Sequence, residues 1–539
     1  MEMVKAKIRL AAALLSVFFC VSLYAQEDVR TYGWKKVVMD NSRSTTAAAG
    51  KGWAAKTAKV INAVQPQMAH LKEVVGYSPE EMVKYVPQSP LSNWVTDLML
   101  AQGSKLSGDA CDVSVTNFGG IRVDMPKGDV TVDDIRSMFP FKNNLVVVEL
   151  TGARLREVMD SMVVDRKLQA FSGMKIVVGT KEIESVTIGG QALDPAKHYR
   201  LVTNSFLLYG GDGINLGYNA VSVNDLGVDI YDSVMDYLRD LKAEGGVIAA
   251  KEDDRIYVKG LAASAGADAL GPRPKLAPKQ FTGERHRLTI VHTNDTHSHI
   301  DPVRSGEYSG LCGAVERACY LDSLRKADGS NRVLLLDAGD FEQGTPYFTL
   351  FGGKVEIGTY NAMGYDAVTL GNHEFDNGTD DLAKRLEWIK CPVVLTNYKI
   401  DHPGVAKHVK PYTIIRRGGL KIGILGMLTD LGPMVDKNNN KGMTYMRPQE
   451  PLNAYAAKLK QEDKCDLVIV LSHCGYTENN PENPGDVQVA AGLRNVDIII
   501  GGHSHTDMDV PTYVNGADGH PVMIVQDYCW GIYTGNIIL

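Results

Sequence analysis

Apolar runs that end abruptly in polar residues dominate the C-terminal half of the chain. The clearest lies within residues 364–378, GYDAVTLGNHEFDNG, where an apolar stretch from Ala367 to Leu370 passes almost directly into Asn372 and His373. This pattern predicts a buried strand followed by a polar loop. Because α/β proteins place their ligand sites in the loops at the carboxyl ends of strands, we expect this loop to carry chemistry.

Further runs in the same half repeat the pattern, each a strand-like apolar stretch that ends in aspartate or histidine. They are LTIVHTNDTH with Asp295 and His297, RVLLLDAGD with Asp340, DLVIVLSH with His473, and VDIIIGGHSH with His503 and His505. A single such residue is more often a turn former or a helix cap. Repeated at several strand ends, together with the amide of Asn372, these residues predict a metal site.

The same periodicity divides the chain into domains. A chain of 539 residues exceeds the size at which one core keeps growing, so at least two domains are expected. Residues 29–260 mix helical and strand-like patterns, residues 261–287 have prolines and small residues without an apolar period, and residues 288–539 alternate strands with helices. We predict a first domain, a linker and a layered α/β second domain.

Particular elements are predicted within these domains from apolar spacing. The predicted helices are 48–73, 92–101, 380–389 and 451–461, and the predicted strands of the first domain are 112–116, 145–150 and 174–178.

The first domain also contains polar stretches that do not fit regular secondary structure. They are NFGGIR at 117–122, FPFKN at 139–143, and NSF at 204–206 followed by GGDG at 210–213. Phe141 and Phe206 would ordinarily be core residues, but both stand beside proline or glycine rather than inside periodic runs. Aromatic rings on loops are suited to stacking against a flat base.

Composition and charge narrow the class of partner. Hydrophobic residues make up 44% of the chain and charged residues 22%, as in ordinary globular proteins. The formal net charge of −7 gives no basic field, so nucleic-acid polymers are excluded as partners. Of 8 cysteines, none forms a CxxC pair, so neither a disulfide framework nor a thiolate zinc site is expected.

Residues 1–25 are predicted to be a signal peptide. A basic front precedes the apolar run from Leu10 to Leu23, and Leu23, Tyr24 and Ala25 form a cleavage site before Gln26. The run is shorter than the roughly 20 residues of a membrane span. We therefore expect export to the periplasm or cell surface, with no transmembrane span after cleavage. A lipid anchor at Cys20 is the alternative.

Two groups of motifs resemble one family. NDTH at 294–297, GDFEQGTP from Gly339, GNHEFDNG at 371–378, LSHCG from Leu471 and GGHSHT from Gly501 resemble the calcineurin-like metallophosphatase domain of the 5′-nucleotidases. NFGGIR, FPFKN and NSFLLYGGDG resemble the C-terminal substrate-binding domain of the same family. The implied fold combines α/β and α+β domains, with a four-layer α/β/β/α metallophosphatase preceded by the substrate-binding domain.

The resemblance also implies a role for each motif residue. Two divalent metal ions, zinc, manganese or similar, would be bound. One would be held by Asp295, His297 and His505, and the other by Asn372, His473 and His503. Asp340 would bridge the two ions. His373, oriented by Asp376, would act on the leaving group or the phosphoryl group. The implied substrate contacts are Asn117 and Arg122 to base and phosphate, Phe141 and Phe206 around the base, and Asp212 to the ribose hydroxyls.

Two features depart from the family pattern. The substrate domain precedes the metallophosphatase domain, which leaves open a site within one chain or a homodimer formed by domain exchange. An arginine that contacts the base or phosphate is also missing, because Lys84 and Tyr85 stand near its place.

The function implied is hydrolysis of nucleoside 5′-monophosphates to nucleoside and phosphate. UDP-sugar hydrolysis and 2′,3′-cyclic-nucleotide phosphodiesterase activity on the same site are alternatives. Two further alternatives are hydrolysis of another flat or sugar-like phosphate ester, and nucleotide binding by a protein whose phosphatase half is inactive.

Overall fold

The structure is a computed structural model that describes residues 32–41, 52–164, 168–179, 182–259, 288–436, 438–477 and 480–539. The predicted signal peptide, Cys20 and the predicted linker at 261–287 lie outside the described residues. Among the helices that are described, none is both long and apolar enough to cross a bilayer.

The first described elements are strand β1 (Gly33–Val38), helix α1 (Trp53–Asn62) and a 3₁₀ helix (Gln65–Lys72). The first domain then consists of β2 (Val74–Ser78), α2 (Pro90–Ser107), β3 (Val113–Thr116), β4 (Gly128–Thr131), α3 (Val132–Met138), β5 (Asn144–Thr151), α4 (Gly152–Val164), β6 (Ala170–Ser172), β7 (Met174–Val178), β8 (Ile183–Ile188), β9 (Gln191–Ala192), β10 (His198–Asn204), α5 (Ser205–Leu208), β11 (Ser222–Asp229), α6 (Ile230–Ala243) and β12 (Ile256–Val258).

A five-stranded sheet in the order β11-β5-β10-β3-β6 forms the centre of the first domain. A four-stranded sheet, β12-β7-β8-β9, and a β2-β4 pair complete it. Helix α2 packs on the central sheet and begins where the sequence favours it, with Ser89 and Ser92 forming a reciprocal capping box and Pro90 in the first turn. Gly103 brings α2 close to β10, because a Cβ there would stand 2.4 Å from the side chain of Val202.

The second domain contains β13 (Thr289–Thr293), α7 (Ala314–Asp328), β14 (Val333–Asp337), α8 (Pro346–Phe351), α9 (Lys354–Met363), β15 (Ala367–Val368), α10 (Thr379–Leu386), β16 (Val393–Val394), β17 (Tyr398–Ile400), α11 (Pro403–Ala406), β18 (Val409–Lys410), β19 (Tyr412–Arg417), β20 (Leu420–Leu428), β21 (Met443–Tyr445), α12 (Gln449–Ala457), β22 (Leu467–His473), α13 (Asp486–Gly492), β23 (Ile498–Ile500), β24 (Thr512–Asn515), β25 (Pro521–Val525) and β26 (Tyr533–Ile538).

Two sheets pack face to face in this domain. One has the order β1-β26-β13-β14-β15-β16-β18 and the other β19-β20-β22-β23-β25-β24. Side chains such as Ile290 and Leu336 from the first sheet meet Ile469 and Ile500 from the second in a fully buried core. Helices α7 and α9 cover the first sheet, and α12 and α13 cover the second. The predicted four-layer α/β/β/α sandwich is therefore confirmed.

The predicted start of the first domain at residue 29 is wrong. Strand β1 pairs antiparallel with β26, from Gly33 opposite Ile538 to Val38 opposite Tyr533. Helix α1 packs on α7 and α9 of the second domain. An apolar face shows that an element is buried, but it does not show which domain buries it. The chain thus runs from the second domain into the first and back again.

Candidate metal centre

Strand ends bring the predicted metal ligands together. Strands β13, β14 and β15 are parallel neighbours, as are β22 and β23, so their carboxyl ends lie along one edge of the sandwich. Asp295 and His297 follow β13, Asp340 follows β14, Asn372 follows β15, His473 ends β22, and His503 and His505 follow β23. All the residues predicted as ligands therefore lie at one site.

The three residues predicted to hold the first metal form one group with their ligand atoms within 4.8 Å of one another. The Nε2 atom of His505 lies 3.1 Å from that of His297 and 3.3 Å from Oδ1 of Asp295. Nδ1 of His297 is 3.2 Å from the carbonyl oxygen of Gln343, an acceptor that keeps the proton on Nδ1. The two converging imidazole nitrogens fit a shared cation better than a hydrogen bond.

Asp340 links the second group of ligands to the first. Its Oδ2 atom lies 2.9 Å from Nε2 of His473 and 3.8 Å from Nε2 of His297. Nδ1 of His503 and Oδ1 of Asn372 are 2.9 Å apart. Nδ1 of His473 lies 2.8 Å from the carbonyl oxygen of Ala338, which leaves Nε2 free to bind a metal. This donor set fits two divalent cations that share Asp340.

Backbone strain is concentrated at these ligands. Left-handed φ angles occur at five of them, Asp295 (48°), His297 (45°), Asp340 (55°), His503 (73°) and His505 (50°). Such conformations are unfavourable for residues other than glycine and persist where the surroundings impose them, commonly at functional sites.

Glu374 braces the ligand loops and was not among the predicted site residues. Its carboxylate is fully buried and accepts hydrogen bonds from the backbone N–H groups of Asp340 (2.9 Å), Glu342 (3.0 Å) and Gly371 (2.6 Å). Gly371 is required by the close approach of Asp340, because a Cβ there would stand 2.1 Å from its Oδ1. The sequence signal that could have identified Glu374 is its position inside GNHE.

His373 lies beside the metal ligands and has its own carboxylate. Its Nδ1 atom is 2.8 Å from Oδ2 of Asp376, and its backbone N–H donates to Oδ1 of Asp340 at 2.9 Å. Burial lowers the pKa of His373, but the charges of Asp376 and Asp340 outweigh it and hold the pKa above its usual value. His373 also groups with His297 and Asp340, their ligand atoms within 4.8 Å of one another, as a further metal ligand would.

At two of the predicted ligands burial outweighs the nearby carboxylates, and the net pKa shift is downward. Burial holds the pKa of His297 well below its usual value, with a contribution from the charge of Arg122. It also lowers the pKa of His503 to about 4, assisted by His473. Both imidazoles are therefore neutral near pH 7, which is the form that binds metals.

Two predicted substrate contacts of the first domain reach the metal centre. The Phe141 ring stacks on His373 with 5.5 Å between centroids and 22° between planes. The guanidinium of Arg122 lies 5.6 Å from the centroid of the Phe141 ring. Burial lowers the pKa of Arg122, and the charges of Asp340 and Asp376 oppose that effect, so Arg122 lies within the field of the site carboxylates.

The other predicted substrate contacts lie in the body of the first domain. Oδ1 of Asn117 accepts a hydrogen bond from Nδ2 of Asn204 at 3.1 Å. The Phe206 ring lies against Gly211, where a Cβ would be 2.4 Å from it. Asp212 is half-buried in the following turn with φ of 54°. The contacts described for Asn117 and Phe206 are thus made inside their own domain rather than at the metal centre.

Lys84, which stands near the place of the missing arginine, supports the loop that carries Arg122. Its Nζ atom donates to the carbonyl oxygens of Phe118, at 3.2 Å, and Ile121. Burial, followed by the charge of Arg122, lowers the pKa of Lys84 to about 8.

A cavity of about 1300 Å³ opens between the domains beside the metal centre. Its walls include Lys84, Arg122 and Asp133 of the first domain and Tyr308, His505 and Trp530 of the second. The cavity therefore connects the predicted metal ligands with the first domain.

Comparisons with known proteins identify both halves. A family described as "5'-nucleotidase, C-terminal domain" matches residues 67–219, and the calcineurin-like phosphoesterase family matches residues 288–507. The chain therefore contains a 5′-nucleotidase C-terminal domain and a calcineurin-like phosphoesterase domain. The domain that is C-terminal by name precedes its partner here, so the inverted order predicted from the motifs is confirmed.

Similar proteins include a 5'-nucleotidase and a nucleotide phosphoesterase. The chain is 34% identical over 272 residues to a 5'-nucleotidase of Vibrio cholerae, covering 47% of this chain and 48% of the relative. Escherichia coli protein UshA is 31% identical over 272 residues, with 47% and 48% covered. The trifunctional nucleotide phosphoesterase protein YfkN of Bacillus subtilis is 24% identical over 524 residues, with 78% and 34% covered.

The chain thus spans about half the length of the first two relatives, or less in the case of YfkN. Among solved structures, a 5'-nucleotidase precursor from Thermus thermophilus matches at 32% identity with a TM-score of 0.42, covering 46% of this chain and 50% of that one.

Proposed function

We propose that the chain is a two-metal phosphohydrolase that releases phosphate from nucleoside 5′-monophosphates. The observation that carries this proposal is the meeting of the strand-end ligands with Arg122 and Phe141 of the other domain. Among the ligands only Asp295 and Asp340 are charged, so two divalent cations would leave about +2 at the centre. A site of that charge suits a phosphate monoester dianion.

The bound cations would supply Lewis acidity toward the phosphoryl oxygens and toward the attacking water. Histidine, carboxylate and amide ligands favour zinc, manganese or a similar ion over calcium. The chain's own residues would position the substrate. Arg122 would hold the phosphate by charge, and Phe141 would present an aromatic face to the base beside His373.

His373 would transfer a proton in this reaction. The carboxylate of Asp376 holds Nδ1, which leaves Nε2 as the nitrogen that can serve the leaving group. The neighbouring carboxylates raise the pKa of His373, which favours the protonated imidazole that would donate to the departing oxygen.

A nucleoside diphosphate sugar is a second candidate substrate, favoured by the cavity beside His505. At about 1300 Å³ it exceeds the roughly 300–1,000 Å³ of most small-molecule pockets. It would leave room for a larger group on the far side of the scissile phosphate.

Phosphate release from 5′-AMP by the purified chain tests the proposal. With manganese or zinc present we expect release that a chelator abolishes, and the Asp340→Ala variant should be inactive under both conditions. Activity on p-nitrophenyl phosphate without activity on 5′-AMP would contradict the nucleotide part of the proposal only. Inactivity on both, with UDP-glucose also unused, would contradict the phosphohydrolase itself.

We further propose that the chain is exported and that one chain builds the site. N-terminal sequencing of the mature protein should begin at Gln26, whereas a lipid-modified Cys20 at the start would favour the anchored alternative. Sedimentation should give a monomer, and an obligate dimer would instead support domain exchange.

A further inference from the structure

A segment that neither family match covers is docked against the metallophosphatase domain. The two matches begin at residues 67 and 288, yet β1 extends the first sheet of the second domain beside β26. This segment, residues 33–38 and 53–62, comes before the substrate domain in the chain. The region before the substrate domain is therefore anchored on the metallophosphatase domain.

Lys36, on β1, reaches the loop that carries two predicted metal ligands. Its Nζ atom forms an ion pair with Asp507 and lies 3.2 Å from Oδ1 of Asp509. The same ammonium group lies 4.2 Å from the centroid of the Tyr533 ring. The Lys36 side chain is only 13% exposed, whereas the side chains of Asp507 and Asp509 are 41% and 60% exposed.

The imidazole of His505 is less directly oriented than those of His297 and His473, although Gln526 and Tyr528 contact the backbone of the neighbouring Thr506. His297 and His473 each have Nδ1 close to a backbone carbonyl oxygen. In the described part of the chain, Nδ1 of His505 has no hydrogen-bond partner, and its side chain is 29% exposed against 1% for His297. Hydrogen bonds to the second nitrogen normally orient a metal-binding imidazole. The position of His505 therefore depends on its loop, and Asp507 lies two residues beyond it.

Helix α1 docks this segment independently of Lys36. The side chain of Asp322 accepts hydrogen bonds from the backbone N–H groups of Trp53 and Ala54, each at 3.0 Å. The Trp53 ring covers Gly364, where a Cβ would be 2.5 Å from it, and Arg325 stacks on the ring at 4.3 Å. Removing the Lys36 charge should therefore leave the segment in place.

We propose that Lys36 is a positioning residue for the metal centre: its ammonium group, delivered by β1, holds the 503–509 loop so that His505 can bind its metal ion. The metal ion shared by Asp295, His297 and His505 should thus be the one that depends on the N-terminal segment. The ion held by Asn372, His473 and His503 should depend on it less, because Nδ1 of His473 contacts the Ala338 carbonyl oxygen and the backbone N–H of His503 donates to Asp295.

Zinc titration of the chelator-stripped full chain, in competition with a chromogenic chelator, tests this inference. In Lys36→Met we expect the zinc dissociation constant of one of the two sites to rise about tenfold, with the other site unchanged. A tenfold rise is the lower end of the effects seen when a ligand loses an outer-shell partner. Lys35→Met is the matched control, since Lys35 is exposed on the same strand and loses the same charge. Equal zinc binding by the two variants would overturn the inference.

Two more variants separate positioning from general stability. Lys36→Arg should restore the affinity, and Asp507→Asn should reproduce the loss without altering β1. If Lys36→Met does not fold, Asp507→Asn decides, and parental zinc binding in that variant would overturn the inference. The inference rests on the proposed metal binding, so the parent is titrated first. A parent that binds no zinc would contradict the metal centre itself. If the parent binds zinc but the variants do not weaken one site selectively, only the role of Lys36 is contradicted.

Discussion

The metal centre and the substrate contacts of the first domain differ in how their side chains are placed. The metal ligands all follow strands of one sandwich, and Glu374 braces their loops. The substrate contacts divide, since Arg122 and Phe141 reach the metal centre while Phe206 packs on Gly211 in its own domain. One region is thus fixed by the framework of a single domain, and the other depends on how two domains meet.

The largest effect is expected at His373, where the two regions touch. His373→Asn should lower turnover about 100- to 10,000-fold, the usual contribution of a positioned acid or base, while both metal ions stay bound. Phosphate release and elemental analysis of the same preparation measure the two quantities. Loss of one ion would identify His373 as a metal ligand. Parental turnover would remove it from the mechanism.

A smaller effect should show whether Phe206 belongs to the site or only to the core. If its ring stacks on the base after a domain movement, Phe206→Ala should cost about 1–3 kcal/mol in kcat/KM for 5′-AMP. Hydrolysis of p-nitrophenyl phosphate, which has no base, should be unchanged. Phe141→Ala is the comparison variant and should impair both substrates, because Phe141 also contacts His373. Equal losses on both substrates in Phe206→Ala would mean that this ring only supports the fold.

Periodicity was sufficient to predict the strand ends that carry the metal ligands, whereas the metallophosphatase fold was implied by the motif resemblance. Each ligand run is a short apolar stretch in a parallel strand, so its end falls at a common edge of the sandwich whatever the details of packing. The predicted helices at 92–101, 380–389 and 451–461 all lie within or overlap observed ones. The strands predicted at 112–116, 145–150 and 174–178 do so as well.

The arrangement between the domains could not be predicted in the same way. Residues 48–73 have an amphipathic pattern, but the described part of that stretch is split into α1 and a 3₁₀ helix, and the sequence does not show that α1 docks on α7 and α9. The role of Lys84 was also hidden, because its partners are backbone carbonyls that no motif records. Contacts made by long-range docking leave little signal in local spacing.

The smallest expected effect concerns the wall of the interdomain cavity. Burial, reinforced by Asp134 and Asp301, raises the pKa of Asp133 from 3.8 to about 6, and Arg304 opposes this. Between about pH 4 and pH 6 the folded chain retains a proton that the unfolded chain has released, so this group makes stability fall as pH rises through that window.

Asp133→Asn removes that titration and should stabilise the metal-free chain at pH 7 by about 1 kcal/mol. This is less than the free energy that corresponds to the whole pKa shift, because Asp133 is partly exposed to solvent. Near pH 4 the variant and the parent should unfold at the same temperature, since Asp133 is then protonated in the folded state. Thermal unfolding at both pH values measures the difference, with the exposed Asp129→Asn as control. A gain of equal size at both pH values would show that the cavity does not raise the pKa of Asp133. The two domains would then meet more openly around Asp133 than the contact of Arg304 with Asp134, 2.9 Å long, indicates.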